Sequence, residues 1–179
     1  DVTTGTLVHT INNPNSIGSS DYDSFGASVA ISGDRAIIGA SGEDTHSGTA
    51  YIYNVTSGAL VHTLNNPNPY RSRDYDSFGA SVAISGDYAI VGAYGEDDDD
   101  GDYYSGKAYI FDVATGALLH ILDNPNAYGT SQHDNFGYAV AISGDYAIVG
   151  AYGEDDADGT GSGKAYIFDV ATGALLHIL

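Results

Sequence analysis

Residues 78–97, from Phe78 to Asp97, read FGASVAISGDYAIVGAYGED, and the pattern of this stretch decides the fold. Two runs rich in Val, Ile and Ala flank a Ser85-Gly86-Asp87 turn, and an acidic segment follows. Glycine and aspartate accept the tight backbone that joins two short β-prone runs, so the pair reads as a hairpin. The second run, Ala89-Ile-Val-Gly-Ala93, is apolar without alternation, which marks a strand covered on both faces. The stretch occurs three times, the other copies starting at Phe25 (FGASVAISGDRAIIGASGED) and Phe136 (FGYAVAISGDYAIVGAYGED).

Working outward, each copy is followed by a Tyr-rich run, then by a Thr-Gly or Ser-Gly turn and a His-containing run. That last element is DVTTGTLVHTI at Asp1, NVTSGALVHTL at Asn54 and DVATGALLHIL at Asp112 and Asp169. A connector built on Asn-Asn-Pro-Asn, or Asp-Asn-Pro-Asn, begins at Asn12, Asn65 and Asp123, where proline and asparagine end the strand and turn the chain. The second period thus predicts strands near Gly79–Ser85, Tyr88–Ala93, Lys107–Asp112 and Ala117–Leu122. Nothing keeps helical spacing for more than a turn, so the chain is all-β. Phe25 to Phe78 is 53 residues and Phe78 to Phe136 is 58. Four short antiparallel strands in a repeat of that length fit a β-propeller blade rather than a solenoid coil. The predicted organisation is a surplus fourth-type strand at residues 1–11, then blades at 12–66, 67–122 and 123–179. Gly106–Leu122 and Gly163–Leu179 match at every position, as expected of recent duplication and of a parent array with more copies.

Composition narrows the function classes. A chain of 179 residues with 42% hydrophobic residues and 24 glycines is globular and turn-rich. Its formal charge is −19, from 24 acidic and 5 basic residues. Such a surface repels nucleic acid and anionic membranes, whose binders carry basic faces. It suits high salt or divalent cations, which screen or cancel self-repulsion. Without cysteine there are neither disulfides nor thiolate metal sites. No run approaches the roughly 20 apolar residues of a membrane-spanning helix. A sequence that opens at Asp1 and lacks methionine is expected to be a processed product or an excerpt of a longer, secreted parent.

The pattern Phe-Gly-x-Ser-Val-Ala-Ile-Ser-Gly-Asp, then Ala-Ile-Val-Gly-Ala, then Gly-x-Ala-Tyr-Ile-Phe-Asp resembles the FG-GAP repeat. That family includes the integrin α-chain propeller and many bacterial and archaeal surface or secreted proteins. The resemblance implies four-stranded blades of an extracellular propeller used for adhesion or binding rather than chemistry. Two features depart from the family. Its Asp-x-Asp-x-Asp-Gly calcium loop between the first two strands is replaced by tight turns at Ser32, Ser85 and Ser143. Its Gly-Ala-Pro is Gly39-Ala-Ser41, Gly92-Ala-Tyr94 and Gly150-Ala-Tyr152.

Candidate sites follow from residue type and spacing. The acidic loops after the second strands read Glu96-Asp-Asp-Asp-Asp-Gly-Asp102 and Glu154-Asp-Asp-Ala-Asp-Gly159. Calcium takes six to eight oxygens, and alternate carboxylates around a glycine turn supply several of them. Asp98, Asp100 and Asp102, with Asp156 and Asp158, are the expected calcium ligands; a solvated acidic loop is the competing reading, and the first copy is poor in acid there. The Asp21/Asp23 and Asp74/Asp76 pairs recur once per repeat, which fits turn residues accepting backbone N–H bonds better than a catalytic pair needed once. His9, His62, His120 and His177 hold one position of the fourth strand and point around a ring without converging, as cross-strand structural residues. Tyr51, Tyr109 and Tyr166 are expected in the core. Asn54-Val55-Thr56 is a glycosylation sequon compatible with secretion.

Three blades fall short of the four to eight that close a propeller and leave two apolar blade faces open. Two chains would supply six blades. The surplus strand is expected to add to an open blade edge on another copy. The expected function is therefore a non-enzymatic extracellular structural or adhesive module that self-associates as a ring or filament, with calcium as a stabilising ion. Its partners are further copies or neighbouring repeats of a longer parent. The alternative is a propeller that binds a glycan or surface protein through loops on one face.

Overall fold

The computed structural model describes residues 1–15, 22–68, 75–97, 103–125, 131–156 and 161–179. Twelve strands fall in three sheets. The first holds β1 (Ser28–Ser32), β2 (Arg35–Ala40), β3 (Thr49–Asn54) and β4 (Leu60–Asn65), with a one-turn helix α1 (Glu43–His46) between β2 and β3. The second holds β5 (Ser81–Ser85), β6 (Tyr88–Ala93), β7 (Lys107–Asp112) and β8 (Leu118–Asp123). The third holds β9 (Phe136–Ser143), β10 (Tyr146–Ala151), β11 (Lys164–Asp169) and β12 (Leu175–Ile178). Each sheet is an antiparallel meander in chain order. These are the four-stranded blades that the repeat predicts.

Turn chemistry sets the register. Ser32 pairs with Arg35 and Ser85 with Tyr88 across two-residue turns whose glycines, Gly33 and Gly86, have positive φ. Each third-to-fourth-strand turn is held by one side chain. Asn54, Asp112 and Asp169 accept, through Oδ1, the backbone N–H and hydroxyl of Ser57, Thr115 and Thr172. Those hydroxyl bonds lead the causes that hold Asp112 and Asp169 below the usual carboxylate range. A register shift recurs at Ile52/Tyr53, Ile110/Phe111 and Ile167/Phe168, a β-bulge that turns each outer strand alike.

The blades stack through their faces, with β5 packed between β1 and β9. One core joins Ile37, Ile52 and Leu64 of the first blade to Phe78, Val91, Tyr109 and Phe111 of the second. Its counterpart joins Ile90, Ile110 and Leu122 to Phe136, Val149, Tyr166 and Phe168. Phe78 and Phe136, fully buried, meet Tyr109 and Tyr166 edge-on at 5.6 Å in both joints.

Identical strands at the two ends are covered differently. β1 and β5 both read SVAIS, yet Val29 and Ile31 are 65% and 66% exposed where Val82 and Ile84 are 8% and 7%. β6 and β10 both read YAIVGA, yet Ile148 is 37% exposed where Ile90 is fully buried. Among the described residues the middle blade has a blade on both sides and the outer two a blade on one side.

Residues 1–11 lie outside the three sheets. The turn is present, with Gly5 N–H bonded to the Asp1 carbonyl at 2.8 Å, but residues 6–11 join no β-ladder. They lie on the first blade's outward face, where Ile11 packs near Ile38, Tyr51 and Tyr53. A ladder needs a strand edge alongside, and among the described residues no strand pairs with them.

Candidate functional site

The recurrent histidines define the joints between blades. His62 Nε2 lies 3.0 Å from the Ala114 carbonyl, and His120 Nε2 lies 3.0 Å from that of Ala171. Each reaches from an outer strand to the third-to-fourth-strand turn of the following blade. His9 makes the same contact, 2.9 Å from the Thr56 carbonyl. The histidines thus do point around the stack, but their partners lie on the next blade and not across the strand, because the bulge and turn bring that carbonyl nearest. The turn glycines explain themselves here. Gly58, Gly116 and Gly173 have positive φ, and a Cβ on each would sit about 3 Å from the ring of His9, His62 or His120.

A second feature was not read from the sequence. Glu43, Glu96 and Glu154, the glutamates of Gly-Glu-Asp, are almost fully buried. Each accepts the hydroxyl of the core tyrosine of its own blade: Tyr51 to Glu43 at 2.5 Å, Tyr109 to Glu96 at 2.6 Å, and Tyr166 to Glu154. The tyrosines are core residues, as expected, and burial first, then the carboxylate, pushes all three hydroxyls up. In the third blade Lys164 Nζ also reaches Glu154 Oε1 at 2.7 Å. In the second, Lys107 turns to Asp123, and the first has Thr49 at that place. Glu43 Oε1 and Glu96 Oε1 consequently have no hydrogen-bond partner among the described residues. Burial pushes the Glu96 carboxyl up to about 8, with nearby Asp76 adding to the rise and Tyr109 opposing it. The signal for these pairs was the persistence of Gly-Glu-Asp in the first copy, where the rest of the acidic loop is missing.

The aspartates before each Phe-Gly pair have a stated partner. Asp23, Asp76 and Asp134 accept the side-chain amide of Asn13, Asn66 and Asn124, at 3.0, 2.9 and 2.7 Å. The asparagine at the second position of each connector therefore ties that connector to the start of the blade that follows. Asp21 and Asp74 lie outside the described residues, as do Asp98, Asp100, Asp102 and Asp158 of the acidic loops; Asp156 is described. Among the described residues no group of three His, Asp or Glu side chains is placed to hold a metal ion.

One exposed aromatic cluster stands at the edge where β6 and β10 end and β9 begins. The Tyr138 ring lies 5.2 Å from Tyr94 and 4.7 Å from Tyr152, both edge-on. Tyr138 and Tyr152 are exposed. The counterparts of Tyr138 in the earlier copies are Ala27 and Ala80, so the cluster stands where the third blade meets the second.

A family model described as FG-GAP repeat matches residues 18–53, 72–111 and 126–168, together more than half of the chain. Each match opens upstream of a Phe-Gly pair and closes within the third strand of a blade. No curated protein matches the chain. No helix among the described residues is long and apolar enough to cross a membrane.

Proposed function

Because the chain belongs to the FG-GAP repeat family, whose members are generally non-enzymatic, we propose that it is an extracellular structural or adhesive propeller module that self-associates. One observation carries this reading. Strands of identical sequence are covered on both faces in the middle blade and on one face at the ends, leaving Val29, Ile31 and Ile148 in water. Burying apolar area is worth roughly 25 cal/mol per Å², so such faces favour further blades, from other copies or from adjoining repeats. The repeated Asn–Asp, His–carbonyl and Glu–Tyr contacts act in joining and stiffening blades, which supports a scaffold rather than turnover.

Calcium is a second part of the proposal. The carboxylates Asp98, Asp100 and Asp102, with Asp156 and Asp158, have the ligand type and alternate spacing for it, and the net charge of −19 rewards bound cations. Light scattering at rising protein concentration, first with calcium and then with chelator, tests both parts. A mass that grows in multiples of the 18.5 kDa chain is expected, falling on chelation. A constant monomer mass would remove self-association, and indifference to chelator would remove calcium.

The tyrosine cluster favours a second reading, a glycan- or protein-binding face, because exposed rings stack on sugars and anchor interfaces. Oligosaccharide titration followed by tyrosine fluorescence tests it. Saturable quenching lost in Tyr138→Ala is the supporting result, and its absence leaves the cluster as surface.

A further inference from the structure

We infer that the outward face of the third blade is a socket for the first blade of a second copy, and that residues 6–11 occupy the matching place on the first blade until that copy arrives. This rests on the self-associating reading above and names its partner and its contacts.

The two internal joints share one set of contacts. The N–H groups of Ser77 and Phe78 donate to the carbonyls of His46 and Ser47 at 3.0 and 3.1 Å; those of Asn135 and Phe136 donate to Tyr104 and Ser105 at 2.9 and 3.0 Å. Glycines let the backbones approach. A Cβ on Gly39 or Gly92 would lie 1.9 or 2.0 Å from the carbonyl oxygen of Gly79 or Gly137. A Cβ on Gly48 or Gly106 would lie 2.1 Å from that of Phe78 or Phe136. The histidine–carbonyl contact then fixes the outer strands.

The third blade repeats every receiving element without a partner of this kind. A Cβ on Gly150 would meet nothing closer than 3.7 Å, and the His177 ring has no hydrogen bond among the described residues. Gly163 is in place behind Ser162. The first blade repeats the inserting element. Gly26 has nothing within 4 Å of its would-be Cβ, and Phe25 is part-exposed where Phe78 and Phe136 are buried. Receiving and inserting halves lie on opposite ends of the stack, so copies join head to tail, closing as a ring or extending as a filament. Two chains give six blades, within the range that closes a propeller.

The one contested place is the Thr56 carbonyl above Gly58. An arriving His177 needs it, and His9 already holds it. TLVHTI at 6–11 and ALLHIL at 174–179 are two versions of one outer element, and a joint has room for one. Residues 6–11 join no ladder, and a cleft of about 520 Å³ lined by Val8, Ile31, Ala36 and Val55 remains beneath them. β12, by contrast, is laddered to β11, and Leu179 and Ala165 exchange both backbone bonds. The weaker holder leaves, so residues 1–11 act as a self-cap that lowers affinity between copies.

Sedimentation equilibrium of the full chain and four variants tests this. Gly150→Ala should melt as the parent does yet fail to associate, while Gly92→Ala, in the same YAIVGA sequence, should lose thermal stability. Deleting residues 1–11 should strengthen association roughly tenfold, and His9→Ala should do the same if the deletion does not fold. Adding His177→Ala should reverse that gain. Association of Gly150→Ala equal to the parent's would overturn the socket while leaving self-association standing. Weaker association after the deletion or His9→Ala would overturn the cap, making residues 1–11 a contributor. Absence of association in every variant would overturn the inference and the self-associating reading together.

Discussion

At the scale of single residues, the buried glutamates are the clearest case of function-like chemistry put to structural use. Glu96 binds its proton up to about pH 8 in the folded chain, against an ordinary 4.5. The folded state therefore holds more protons than the unfolded one between those values, and stability falls as pH rises through that window. The contribution is complete below pH 4.5 and gone above 8. Urea unfolding at pH 5, 7 and 9 should show this decline, and Glu96→Gln should flatten it and be the more stable chain at pH 9. A parent whose stability is level or rising across the window would contradict the assignment. Asn66→Ala strips a buried hydrogen bond from Asp76 and should cost about 2 kcal/mol by the same measurement. Neither contact is legible in the sequence: Glu96 stands at the head of an acidic run, and its tyrosine partner lies 13 residues on, beyond the loop in β7. The histidines were half legible. Their recurrence showed that they do not converge, but only the folded chain shows that each partner belongs to the following blade.

At the scale of strands, the local sequence is written for a covered position whether or not a cover is present. β6 and β10 are the same six residues, so their difference is due to neighbours alone. Ile90→Ala should cost about 3 kcal/mol, the usual range for emptying a full core site, and Ile148→Ala well under half of that in the isolated chain. Thermal melts of the two variants check it; equal losses would mean that Ile148 is already packed. This is also why the strands were readable and the first segment was not. Ser-Gly-Asp turns and unbroken apolar runs specify hairpins locally, whereas residues 6–11 have strand composition but join no ladder among the described residues. Gly116 shows the same division. Its turn role is visible in Thr-Gly, but the His62 ring, 2.9 Å from where a Cβ would sit, is not, and Gly116→Ala should cost about 2 kcal/mol through φ and ring together.

At the scale of the whole molecule, three blades, two open faces and a net charge of −19 pull against each other. Apolar faces favour association, while like charge on every copy opposes it and salt relieves that opposition. Association should therefore strengthen from low salt to about 1 M, and a mass that falls with salt would show that charge pairs, not blade faces, hold copies together. The measurement that reaches the central claim most directly is hydroxyl-radical footprinting at low and high protein concentration. It reads side-chain exposure at Val29, Ile31, Tyr146 and Ile148 beside their covered equivalents Val82, Ile84, Tyr88 and Ile90. The four end-face residues should be oxidised in dilute solution and become protected together at the concentration where mass rises, with the middle blade unchanged. If they stay reactive at every concentration, the end faces are not where further blades attach.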